Sequence, residues 1–105
     1  MSTPYQLVYG EDIPEHLQHI ERRYYSLIRR AIEQQLSHEP TVETGNRKPL
    51  RRPALLGAEW ELRFGPGNRF RVFYRVDTPA LEVHVLAIGV KMGNRLVVAG
   101  EEWQL

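Results

Sequence analysis

Between Gly45 and Arg75 the chain carries Arg47, Lys48, Arg51, Arg52, Arg63, Arg69, Arg71 and Arg75, opposed only by Glu59 and Glu61. That segment holds a charge of +6 and the remaining residues −5, within a formal total of +1. Charge segregated in this way creates a local field that the near-neutral total conceals. Seven of the eight cations are arginines. Arginine grips phosphate oxygens through a planar two-pronged fork, whereas lysine acts as a compact point charge. The set therefore suits a polyanion, although a solvated surface band would produce the same run without any ligand.

The elements that must position these residues are legible from spacing. Tyr5 to Tyr9 reads as a short strand. Asp12 and Pro14 mark a helix start. Leu17, Ile20, Tyr24, Leu27, Ile28, Ala31, Ile32 and Leu36 then follow at three- and four-residue steps, the stripe of an amphipathic helix or of two helices broken near Ile20 to Arg23. Glu39-Pro40 ends it. Thr41 to Gly57, basic and without periodicity, reads as an ordered loop. Alternation then marks strands at Trp60 to Phe64, Phe70 to Val76, Leu81 to Ile88 and Arg95 to Ala99. Gly65 to Asn68, Asp77 to Ala80 and Gly93-Asn94 form the turns. The predicted fold class is α+β: an N-terminal strand, a helical hairpin, then a four-stranded antiparallel meander with the helices on one sheet face.

Register decides which side chains meet. Pairing Val76 with Leu81, Tyr74 with Val83, Val72 with Val85 and Phe70 with Ala87 makes one face apolar. The other face then pairs Arg75 with Glu82, Phe73 with His84, and Arg71 with Leu86. For the preceding hairpin, one register sets Arg63 opposite Arg71 and another sets Glu61 there; the first is preferred. Two like charges facing each other cost stability, which an anion between them would relieve. Both arginines fall on the face that the helices leave bare, where Phe73 could stack on a base. The other aromatics read as core, His84 as structural, and Trp103 as packing back on the domain.

Length and composition set the outer bounds. A chain of 105 residues, 42% apolar and 26% charged, reads as one domain over residues 1–105 and not as a disordered tail, a fibrous repeat or a two-domain enzyme. No apolar run reaches the ~18 residues of a membrane span, and Met1 to Gln6 lack a secretory pattern. With no cysteine, disulfides and thiolate metal sites are excluded, and a reducing, cytoplasmic setting is expected. So small a core implies modest stability. His16, His19 and His38 do not make a metal-ligand set, and Gly65-Pro66-Gly67 is no dinucleotide fingerprint. No metal, cofactor or membrane is called for.

This order of elements resembles the RelE/ParE superfamily of bacterial type II toxins over nearly the whole chain. The resemblance rests on Glu43-Thr44-Gly45-Asn46-Arg47-Lys48-Pro49-Leu50, Trp60-Glu61-Leu62-Arg63, Phe70-Arg71-Val72-Phe73-Tyr74, and Leu86-Ala87-Ile88-Gly89-Val90-Lys91. It implies a toxin whose concave sheet face engages mRNA on the ribosome and cuts it, inhibiting translation, and which a cognate antitoxin protein holds inactive. Residue by residue, Arg71 stands where RelE-type toxins keep a phosphate-stabilising arginine. Arg63 stands where they have a catalytic lysine, and Lys91 where they have another functional arginine. Lys48 aligns with a catalytic glutamate of some relatives, Glu61 with a lysine, and Val97 replaces a tyrosine that acts on the substrate.

Cleavage by a 2′-hydroxyl attacking its neighbouring phosphate needs a proton acceptor, a donor, and cations for the charge growing on phosphorus. Arg63 and Arg71 supply the cations. Arginine stays protonated throughout the physiological range and is a poor base, so Lys48 beside Arg47, Arg51 and Arg52 is the better acceptor. Glu61 is the other, provided it shares the Arg71 face. Arg47, Arg51, Arg52, Arg69 and Phe73 complete the expected RNA-binding set. The expected function is thus a metal-free, ribosome-dependent endoribonuclease. The alternatives are a ParE-like inhibitor of DNA gyrase, which needs no catalytic residues, or a degenerate domain that only binds RNA or a partner.

Overall fold

The computed structural model describes residues 3–51 and 55–104. Its strands are β1 (Gln6–Tyr9), β2 (Arg47–Pro49), β3 (Trp60–Phe64), β4 (Phe70–Asp77), β5 (Glu82–Met92), β6 (Arg95–Val98) and β7 (Glu101–Trp103). Two helices, α1 (Ile13–Gln18) and α2 (Tyr25–Leu36), lie between β1 and β2. The helical stripe is indeed broken: α1 closes at His19, and a single 3-10 turn at Arg22–Tyr24 leads into α2. Strands β2 to β7 pair in sequence order as antiparallel neighbours, and β1 joins β5 in parallel. The meander is therefore longer than the expected four strands. β2 forms inside the segment read as a loop, and β7 follows the last predicted strand. Both are three residues long, too short for alternation to register.

The helices cover one sheet face. Ile13, Ile20, Ile28, Ile32 and Leu36 pack there on Leu62, Phe64, Phe70, Val72, Tyr74, Val83, Val85 and Ile88. The β3–β4 register is the preferred one, with Arg63 opposite Arg71. The β4–β5 register departs from expectation. Val76 pairs Val83, Tyr74 pairs Val85, Val72 pairs Ile88 and Phe70 pairs Val90, while Arg75 faces His84, Phe73 faces Ala87 and Arg71 faces Gly89. Two features cause this. The connecting turn takes in Leu81 at a φ of 54°, and the ladder shifts between Phe73 and Tyr74. An extra residue in one strand inverts its alternation from that point on. Val83 and Val85 can thus share the helix face with Ile88, and Ala87 moves to the opposite face.

That opposite face is not bare. Phe73 and Ala87 pack there with Ala58, Leu96 and Val98, flanked by Leu50, Leu86 and Trp103. The β6–β7 hairpin closes onto it so tightly that a Cβ on Gly89 would lie 2.8 Å from the Val97 carbonyl oxygen. Phe73 is 2% exposed. It is core, and its expected role as a base-stacking platform is corrected.

Candidate functional site

The meander brings Glu61, Arg63 and Arg71 together on the sheet face opposite the helices. Glu61 and Arg63, two apart on β3, point the same way, and Arg71 faces Arg63 from β4. Glu61 is 4% exposed and Arg71 6%. Arg71 Nη1 and Arg63 Nε, the latter at 3.0 Å, both donate to Glu61 Oε1. Arg71 Nε also donates to the Asn68 carbonyl at 2.9 Å. The anion expected between the two arginines is therefore the protein's own Glu61. A buried charge is tolerable only when paired and hydrogen-bonded, and each member here supplies what the others need. The Arg63 side chain remains 39% exposed, so one guanidinium of the cluster meets solvent. Both contacts fall on Oε1, leaving Glu61 Oε2 outside them.

Lys48 occupies the β2 position directly opposite Glu61. Its Nζ lies 3.5 Å from Glu43, so it stands beside the cluster with a carboxylate partner of its own. Asn46 was not singled out from sequence, yet it clamps this edge. Its side chain donates to the Arg63 carbonyl at 2.8 Å, and its own carbonyl accepts from the Arg63 amide at 2.8 Å. An asparagine one residue before a basic strand edge is the only sequence signal it gives.

The remaining sequence candidates divide. Arg47 turns to the helix side, 7% exposed. It donates to the Val42 carbonyl and to the carbonyl and side chain of Gln35. It is a structural bolt between β2 and the end of α2, and the expectation that it binds RNA is corrected. Arg51 is exposed, and Arg52 lies outside the described residues. Arg69 and Lys91 extend the β4–β5 ladder one position beyond Phe70 and Val90, with the Lys91 amide donating to the Arg69 carbonyl at 2.7 Å. Among the described residues neither side chain has a carboxylate within ion-pair distance. His84 contacts Glu82 at 3.2 Å, away from this cluster and in keeping with a structural role.

A further histidine has a clear task. β1 pairs with β5 only as far as Val85, and β6 only from Val90 onward, which leaves a gap in the β5 edge. His16 fills it. Its Nδ1 accepts the Ile88 amide at 3.2 Å, and its ring meets Trp103 edge-on at 6.2 Å. Burial lowers its pKa below the ordinary 6.5, Asp12 and Glu15 oppose that shift, and His19 adds to it. The neutral ring is the form that can accept this hydrogen bond.

No protein-family model matches the chain, and no curated protein does. Among solved structures it is similar to a chain of the RelBE2 toxin–antitoxin complex from Mycobacterium tuberculosis. The two are 24% identical with a TM-score of 0.69, over 87% of this chain and 95% of that one. The chain thus has the α+β fold of that neighbour, the RelE-like architecture that its residues led us to expect.

Proposed function

We propose that this chain is the toxin of a toxin–antitoxin pair and that it acts on RNA by metal-free cleavage on the ribosome. The observation that carries this reading is the Glu61 carboxylate held between two guanidiniums on one sheet face, with Lys48 at the adjoining strand position. Those residue types are the ones an internal phosphodiester transfer needs. Lys48, partly exposed beside the cluster, takes the proton from the 2′-hydroxyl as that oxygen bonds to phosphorus, while the buried Glu61 holds the two guanidiniums in place. Arg63, with Arg71 behind it, stabilises the charge that develops on the phosphate oxygens. Lys48 returns a proton to the 5′-oxygen as the P–O5′ bond breaks, leaving a 2′,3′-cyclic phosphate and a 5′-hydroxyl. The cleaved strand and the cognate antitoxin are the partners of this reading. The neighbour's presence in a toxin–antitoxin complex supports the second.

The test is expression without antitoxin. The wild type should arrest growth and leave transcripts with new 5′-hydroxyl ends. Arg63→Gln and Lys48→Gln, both at partly exposed positions, should each lower cleavage by about a hundredfold while the protein stays folded. Growth arrest with intact transcripts and induced DNA-damage signalling would replace this reading with gyrase inhibition. Harmless expression would replace both with a binding domain.

A further inference from the structure

A cavity of about 600 Å³ opens on the helix side of the sheet, away from the Glu61 cluster, between the end of β1, α1 and α2. Its origin is the break in the helical stripe. α1 and α2 run as separate short helices joined by the 3-10 turn at Arg22–Tyr24, and the space between them reaches down to Ile88 on β5. Ile13, Leu17, Ile28 and Ile32 form its walls, so the interior is apolar. The Tyr25 hydroxyl donates to the Leu17 carbonyl, which ties α2 to α1 and fixes one wall against the other. The volume lies within the range of pockets that hold small organic ligands. Polar side chains gather at the mouth, where Tyr9, Glu11, Ser26, Arg29 and Glu33 are all exposed.

Charge decides what such a cavity fits. Among the described residues Glu11 has no cation within ion-pair distance. Glu33 has only Arg29, 3.9 Å away with both side chains in solvent, an arrangement that holds little energy. The mouth therefore sets two carboxylates against one guanidinium. Tyr9 adds a half-exposed ring, whose face attracts a cation. We infer that the cavity binds a small lipophilic amine, with its hydrocarbon body between α1 and α2 and its ammonium at the mouth beside Glu11 and the Tyr9 ring. An anionic amphiphile of the same shape would bring its charge against Glu11 and Glu33. A neutral one would leave Glu11 without a partner. This goes beyond the cleavage reading and does not rest on it, since the residues involved belong to the helix layer and to the end of β1.

Octylamine, octan-1-ol and octanoate share one hydrocarbon body and differ in the charge of the head at neutral pH. Their titration into the purified full chain, followed by amide chemical shifts in NMR, separates the apolar contribution from the ionic one. Octylamine should bind at least about tenfold tighter than octanoate, with octan-1-ol between them. The shifts should centre on Gly10, Leu17 and Ile32. Ser26→Trp, at an exposed position on the mouth, should block the entrance and weaken octylamine binding by about tenfold or more. Glu11→Gln should cut the lead of octylamine over octan-1-ol by about threefold or more. Absence of octylamine binding at millimolar concentration overturns the assignment. So does octanoate that binds as tightly, binding indifferent to Ser26→Trp, or a lead unchanged by Glu11→Gln. Dimerisation of the wild type in analytical ultracentrifugation that Ser26→Trp abolishes would also overturn it, giving the cavity to a second copy of the chain. RNA plays no part in these readouts, so failure here leaves the cleavage reading to its own test.

Discussion

At the scale of single residues, the deciding group is Glu61. The sequence places arginines at 63 and 71, and a strand pairing that faces them would be repulsive. The carboxylate two residues before Arg63 resolves that repulsion from within. Removing one partner of a buried pair strands the other, a loss of about 3–5 kcal/mol. Glu61→Gln should therefore lower the urea stability of the folded chain by that order. The double replacement Glu61→Met with Arg71→Leu should recover most of it, because an apolar pair needs no counter-charge. Equal stability of Glu61→Gln and wild type would show that the cluster does not hold the sheet together. The cations themselves were legible in the sequence. Their partners were not: Arg47 and Arg71 stand in equally basic surroundings, and only the strand faces send one to the helix layer and the other to Glu61.

At the scale of elements, the edge of β5 depends on α1. The parallel strand β1 and the hairpin strand β6 divide that edge, and His16 bridges what they leave unpaired. Because His16 has a lowered pKa in the folded chain, the unfolded chain binds the proton more readily. Stability is then level above the ordinary pKa of 6.5, falls as pH drops below it, and levels again once the folded-state pKa is passed. His16→Asn keeps a side-chain acceptor and removes the titration. The wild type should lose ground relative to this variant between about pH 8 and about pH 5.5, read as urea midpoints. A constant difference between the two across that range would disconnect His16 from the pH response. Period-two alternation located β3, β4 and β5, but it could not show the ladder shift between Phe73 and Tyr74. Either alternation phase of β5 offers apolar residues, and the choice is made by what packs against each face.

At the scale of the whole molecule, the sheet has two apolar faces, and its cations gather where the covering layers stop. Arg63 on β3, Arg69 just before β4 and Lys91 on β5 lie toward the same end of the sheet. A strand neutralising these three would release counterions with a slope of log K against log salt of about −2, taking about 0.7 per phosphate for single strands. Titration with a single-stranded RNA at several salt concentrations measures it, and a slope near zero would mean that the charged band meets no polyanion. Residue order alone determined the fold class, the strands β3 to β6 of the meander and the basic segment, and it offered the break between the helices as one of two readings. Those follow from periodicity, turn chemistry and charge, which are local and additive along the chain. Tertiary structure decided which cations are spent inside the protein and which remain free, and that the second sheet face is closed by Phe73, Leu96 and Val98. Burial and charge pairing are made between distant segments, so no local pattern carries them.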